Sequence, residues 1–96
     1  MKRFAIILIA AGCMRAMPPI ATPHDAERAR VALAELERGR TLLVQKCSGS
    51  CHRVPMPTDH APSEWPAKLV EMSERAGIGL EEQRLIERYL VTMAAR

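Results

Sequence analysis

Cys47, Ser48, Gly49, Ser50, Cys51 and His52 place two thiols and an imidazole within six residues. Thiols can bond a metal, each other or the edge of a porphyrin. A histidine directly after the second cysteine is the iron ligand that a covalently attached haem requires. The adjacency of Cys51 and His52 therefore carries more weight than the gap before them. That gap holds three residues where two is usual. All three are small, and Gly49 is free in φ, so the longer loop can bulge without blocking the ring. Two other chemistries use the same atoms. Cys47 and Cys51 could close a disulfide staple, and a zinc ion could take all three groups, although neighbouring ligands suit a tetrahedral site poorly.

The amino terminus sets the compartment. Lys2 and Arg3 precede an uncharged run from Phe4 to Gly12. The run is too short to span a bilayer as a helix, and it reads as a secretion signal over residues 1–12. It stops at Ala10-Ala11-Gly12-Cys13, which resembles the lipobox of bacterial lipoproteins, where the cysteine is lipidated and becomes the new first residue. The position three before that cysteine is more often leucine; here it is Ala10. Ordinary signal cleavage between Gly12 and Ala21 is the competing reading, and it would leave a free periplasmic protein. Both put the mature chain outside the cytoplasm, where bacteria attach haem to cysteines and where an unprotected thiol pair oxidises. Lipidation of Cys13 also accounts for the odd one among three cysteines and leaves Cys47 and Cys51 as a pair.

Removing residues 1–12 takes away Lys2 and Arg3 and no acidic residue, so the formal charge falls from +3 to +1. Basic character is thus largely a property of the signal. Arg28, Arg30, Arg38 and Arg40 alternate with Glu27, Glu35 and Glu37, the pattern of a solvated helix face, so nucleic acid is not implied. The remaining chain is one small domain with Trp65 and Tyr89 as its aromatics and no phenylalanine. Such a chain has little with which to fill a core, and a bound haem would supply the missing apolar volume.

Three helices are expected to position these groups. Residues 13–24, with Pro18, Pro19 and Pro23, read as a lipid-anchored linker that tethers rather than packs. The domain proper is then residues 25–96. Its first helix is expected from about Asp25 to Lys46, with Ala32, Leu36, Gly39 and Leu43 on one face, and its end delivers Cys47. After a proline-rich loop over 53–62, Ser63 is a plausible cap for a second helix to Ala76, with Trp65, Leu69 and Met72 on one face. Gly77 and Gly79 break it. A third, from about Leu80, carries Leu85, Ile86, Tyr89, Leu90 and Met93. The fold class expected is all-α.

With these residues in place, the stretch 39–96 resembles a small class I cytochrome c. In that family a glycine eight residues before the first cysteine lets the amino-terminal helix cross closely against the carboxy-terminal helix, where an aromatic followed by leucine packs. Gly39 stands eight before Cys47, and Tyr89-Leu90 stands in the last helix. The stretch Glu64-Trp65 through Val70-Glu71-Met72 is similar to small haem domains that accompany periplasmic dehydrogenases. The departures are the three-residue gap and a short segment between His52 and the final helix. The resemblance implies one covalent haem c held by Cys47 and Cys51, with His52 as proximal iron ligand and a methionine opposite it.

Met72 is the foremost candidate for that methionine, being twenty residues after His52 behind a loop long enough to round the ring. Met56 precedes a proline, as the family's axial methionine often does. Its four-residue separation from His52 spans at most about 14 Å, too little to round the ring. His60 comes next after Met72, and Met93 and His24 are the remaining donors. Arg53 is a candidate partner for a haem propionate. These residues together imply an electron-transfer protein, not an enzyme, anchored by Cys13 on the periplasmic side of a bacterial membrane. Its donor would be a periplasmic dehydrogenase or quinol oxidoreductase and its acceptor a terminal oxidase or another cytochrome. One alternative is a haem-free, disulfide-stapled envelope lipoprotein acting as a protein-interaction module. Another keeps the haem with an open distal position, as a gas sensor or peroxidase-like centre.

Overall fold

Thr22-Pro23-His24-Asp25 starts the first helix by reciprocal capping. The Thr22 hydroxyl accepts from the Asp25 amide at 3.3 Å, while the Asp25 carboxylate accepts from the Thr22 amide at 2.8 Å. Two otherwise orphaned donors are satisfied together, and Pro23 fits the first turn because its missing N–H would have no partner there. In the computed structural model, residues 16–47 and 53–96 are described. Cys13, Cys51 and His52 lie outside them.

Helix α1 (Pro23–Ala29) ends at Arg30, which takes a left-handed conformation with φ 55° and ψ 44°. The Val31 amide reaches back to the Ala26 carbonyl at 3.0 Å, closing the helix end. Helix α2 (Leu33–Cys47) then starts afresh. The single helix expected from Asp25 to Lys46 is therefore two. The face marked by Leu36, Gly39 and Leu43 belongs to α2 alone. The break depends on distant parts of the chain. Arg28 of α1 donates to the Thr92 carbonyl at 2.9 Å, and Asp25 pairs with Arg96, so α1 is drawn toward the far end of the last helix.

Two short 3-10 turns, Pro57–Asp59 and Pro62–Glu64, lead into α3 (Trp65–Ala76). The expected cap at Ser63 lies within the second turn, and α3 begins one residue later than the sequence suggested, with Glu64 in the cap position. Gly77, at φ 65°, closes α3 with its N–H on the Ser73 carbonyl, as a residue without Cβ does most easily. Gly79 precedes α4 (Leu80–Ala94). Among the described residues all regular structure is helical, and no helix is long and apolar enough to cross a membrane.

Helices α2 and α4 form the principal pair, and α3 packs on α4. Leu36, Leu42 and Leu43 from α2 meet Ile86, Tyr89, Leu90 and Met93 from α4, with Trp65 and Leu69 of α3 closing the cluster. Gly39 sits where the pair is tightest. A Cβ there would fall on the Leu85 carbonyl oxygen and lie 2.8 Å from the Tyr89 Cβ, so only glycine allows this crossing. The aromatic-leucine pair expected at the crossing is in place, with Tyr89 and Leu90 both fully buried.

The proline-rich segment before α1 does not hang free from Ala16 onward. Pro18 and Ala21 are buried. Successive carbonyls are taken by side chains of the domain: Pro18 by Arg40 Nε at 2.9 Å, Pro19 by the Tyr89 hydroxyl, and Ile20 by Arg96 at 3.4 Å. The expectation that this stretch tethers without packing is corrected there. Proline carbonyls are acceptors on a stretch whose own donors are missing; Arg40 and Tyr89 exploit the two prolines and Arg96 takes the carbonyl of Ile20 that follows.

Candidate functional site

Cys47 is the last residue of α2 and is half-buried against the core cluster. Burial pushes its thiol pKa up, because the apolar surroundings penalise the thiolate. The helix fixes its position. Gly39, two turns earlier, is locked to α4, and Lys46 pairs with Glu82 near the start of α4 at 3.7 Å.

The chain that leaves the motif is held as firmly. Val54 is buried in the core. Pro57 accepts a hydrogen bond at 3.0 Å from the buried Trp65 indole N–H, which ties this loop to the first turn of α3. The Asp59 carboxylate accepts from the Met56 amide at 2.9 Å. Arg53 is exposed and pairs with Asp59 at 3.3 Å, so its guanidinium already has a carboxylate partner. Both chain segments flanking residues 48–52 are thus anchored to one core, one through α2 and the other through α3.

The candidate donors differ in how the fold treats them. Met72 lies on the α3 face that carries Trp65 and Leu69, packed against the cluster but only half-buried. Met93 is 2% exposed, and its thioether is spent on packing. Met56 caps the first 3-10 turn and is partly exposed. His60 stands edge-on to Trp65, ring centroids 4.9 Å apart, while His24 is exposed on α1. Of the three methionines, Met72 alone combines a place on the helical core face with an open flank.

Ser73, next to Met72, has a buried hydroxyl with no hydrogen-bond partner among the described residues. No sequence signal marks it, since a serine in the last turns of a helix is ordinary. A second group that the sequence did not single out is the cluster around Asp25. Its carboxylate is buried, accepts from Arg96 at 2.9 and 3.1 Å, and stands 3.5 Å from Arg28. Arg96 beside it, with the Thr22 amide, holds the acid well below the usual carboxylate range. The partner 71 residues away, Arg96, carries no signal in the sequence.

A shallow groove of about 540 Å³ lies between Arg28, Val31, Pro66, Arg84, Arg88 and their neighbours. Its cations are committed, Arg88 to Glu35, Arg84 to Glu81 and Arg28 to Asp25. Among the described residues no group of three or more histidine, cysteine or acidic side chains is gathered as a metal site.

The chemistry available is that of sulfur and an apolar wall. A cysteine fixed at a helix end and a half-open thioether on α3 border the same cluster. A methionine thioether suits a haem iron, a cysteine thiol can bond the edge of a porphyrin, and the apolar wall suits the ring. Comparison of the chain with models of protein families, with curated proteins and with solved structures returned no match.

Proposed function

We propose that the chain is a monohaem c-type cytochrome, tethered through a lipid on Cys13 to the periplasmic face of a bacterial membrane, that passes single electrons between redox proteins. The observation that carries this reading is the helix crossing. Gly39 is pressed onto Leu85 and Tyr89 of α4, and eight residues later α2 ends at Cys47. The cytochrome resemblance calls for that relation between a glycine, an aromatic and the first attachment cysteine, and nothing in helix propensity favours a glycine mid-helix otherwise.

Cys47 and Cys51 would hold the porphyrin by thioether bonds, His52 would be the proximal iron ligand and Met72 the distal one. Bound there, the group supplies a one-electron Fe(III)/Fe(II) couple whose potential a thioether ligand raises. The chain's own contribution is positional. Gly39 and Lys46 fix Cys47, the Trp65 bond to Pro57 fixes the segment leaving the motif, and the α3 face presents Met72. No residue in this assignment acts as an acid, base or nucleophile, so the proposed role is carriage rather than catalysis. Donor and acceptor would be other envelope redox proteins, a dehydrogenase or quinol oxidoreductase on one side and an oxidase or second cytochrome on the other.

Intact mass of the full chain, made in a bacterium with a cytochrome maturation apparatus, tests the assignment. One haem added to the polypeptide, with colour retained after denaturation, is expected. Colourless protein with Cys47 and Cys51 joined as a disulfide would overturn it in favour of a stapled lipoprotein module. The ferric protein should show a far-red thioether-to-iron band that Met72→Ala abolishes. Survival of the band in that variant would move the ligand to Met56 or Met93, and its absence from the parent would favour His60 or an open position.

A further inference from the structure

Four large apolar side chains are exposed among the described residues: Met17, Ile20, Val70 and Leu80. Two of them stand three residues apart on the segment that precedes α1. Pro18 and Ala21 of that segment turn inward and are buried, whereas Met17 and Ile20 turn outward at 49% and 69% exposure. The segment is not free to fold them in. Its carbonyls at Pro18, Pro19 and Ile20 are held by Arg40, Tyr89 and Arg96. The result is a fixed strap with a small apolar outer face.

In the sequence that face follows closely on Cys13. Met17 is four positions after Cys13, a reach of at most about 14 Å. We infer that Met17 and Ile20 form a membrane-contact face that seats the domain on the phospholipid surface beside its own lipid anchor. The inference rests on the lipoprotein reading of Cys13. Two apolar side chains are too few to bind a bilayer alone, but a covalent lipid makes their insertion intramolecular.

The seating also orients the molecule. Ile20 lies at the carboxy-terminal end of α4, where Arg96 holds its carbonyl. Cys47 lies toward the other end, where Lys46 pairs with Glu82. The two are separated by roughly 20 Å along the helix. A domain seated on Ile20 thus turns the Cys47 end away from the lipid and toward soluble partners.

Photoactivatable phospholipid in vesicles of phosphatidylethanolamine and phosphatidylglycerol, carrying the full mature chain, tests this directly. Trypsin cleaves after Arg15 and so separates the Cys13–Arg15 piece from the Ala16–Arg28 peptide that holds Met17 and Ile20. Lipid adducts should favour Ala16–Arg28 by about tenfold over Leu69–Arg75 and Ala76–Arg84, which hold Val70 and Leu80. An acylated Cys13 piece with an unlabelled Ala16–Arg28 peptide, or equal labelling of all three peptides, sinks the seating while leaving the anchor intact. An unacylated Cys13 fails the anchor itself, and the inference with it. Labelling that falls as the protein is crowded on the vesicle would mean that a second copy covers the strap, which also overturns the inference.

Discussion

A methyl group at position 39 has nowhere to go. Gly39→Ala gains helix propensity worth about 1 kcal/mol but drives a carbon into the Leu85 carbonyl and the Tyr89 side chain, neither of which is a flexible tip. Overpacking of this kind costs about 1–3 kcal/mol and here involves backbone, so a net loss of about 2 kcal/mol is expected. Thermal unfolding followed by circular dichroism should show a Tm lower by roughly 10 °C in a domain of this size. Tyr89 faces the same crossing with a different dependence. Burial pushes its phenol up to about 12, and its hydroxyl donates to the Pro19 carbonyl. Because the folded pKa lies above the unfolded one, this stabilisation is complete below about pH 10. It is lost as the pH climbs through the folded value. Urea unfolding above pH 10 should weaken in the parent, and Tyr89→Phe should flatten that alkaline decline. Both residues were visible in the sequence through their spacing from Cys47 and their place in the last helix. The partner of the Tyr89 hydroxyl was not, because it lies 70 positions away and a proline carbonyl has no sequence signature.

The elbow between α1 and α2 is the element that local pattern could not foresee. Residues 28–30, Arg-Ala-Arg, are good helix formers, and the apolar spacing of α2 continues plausibly upstream to Ala32. What stops α1 is Arg30 in the left-handed region, closed by bonds back to Ala26 and Glu27 and enforced by the reach of Arg28 to Thr92. A side chain there carries a steric penalty that glycine avoids. Arg30→Gly should therefore raise stability by about 0.5–1 kcal/mol, read as a higher urea midpoint with unchanged slope. The elements with strong local signals fared differently. Gly77 was legible as the end of α3 because a positive φ is what glycine supplies, and α4 was legible because its apolar residues recur at helical spacing through to Met93.

At the scale of the molecule, the strap, α1 and the end of α4 are gathered by one buried carboxylate. Asp25 accepts from Thr22 and from Arg96, and Arg28 stands beside it. Its folded pKa lies below the unfolded value near 4, so the contribution is present above about pH 4 and drains away as the pH falls toward the folded value. Asp25→Asn should cost about 1–3 kcal/mol at neutral pH, and the stability gap between variant and parent should narrow in acid, measured by urea unfolding at a series of pH values. The all-helical class was readable from periodicity. The packing of residues 16–22 was not, because proline-rich composition reports stiffness rather than the side chains waiting to bind its carbonyls. Of the groups proposed to hold haem, Cys47 and Met72 have places on the core that α2 and α3 set, while Cys51 and His52 lie outside the described residues.

The glycine contact makes α2 an angular gauge as well as a spacer. With residue 39 fixed on α4, each residue added before Cys47 would advance the cysteine by 1.5 Å and swing it by about 100° around the helix axis. One inserted alanine would leave the helix intact yet aim the sulfur at a different quarter of the molecule, whereas seven would bring it back almost into phase. The count of eight between Gly39 and Cys47 is thus a setting of direction.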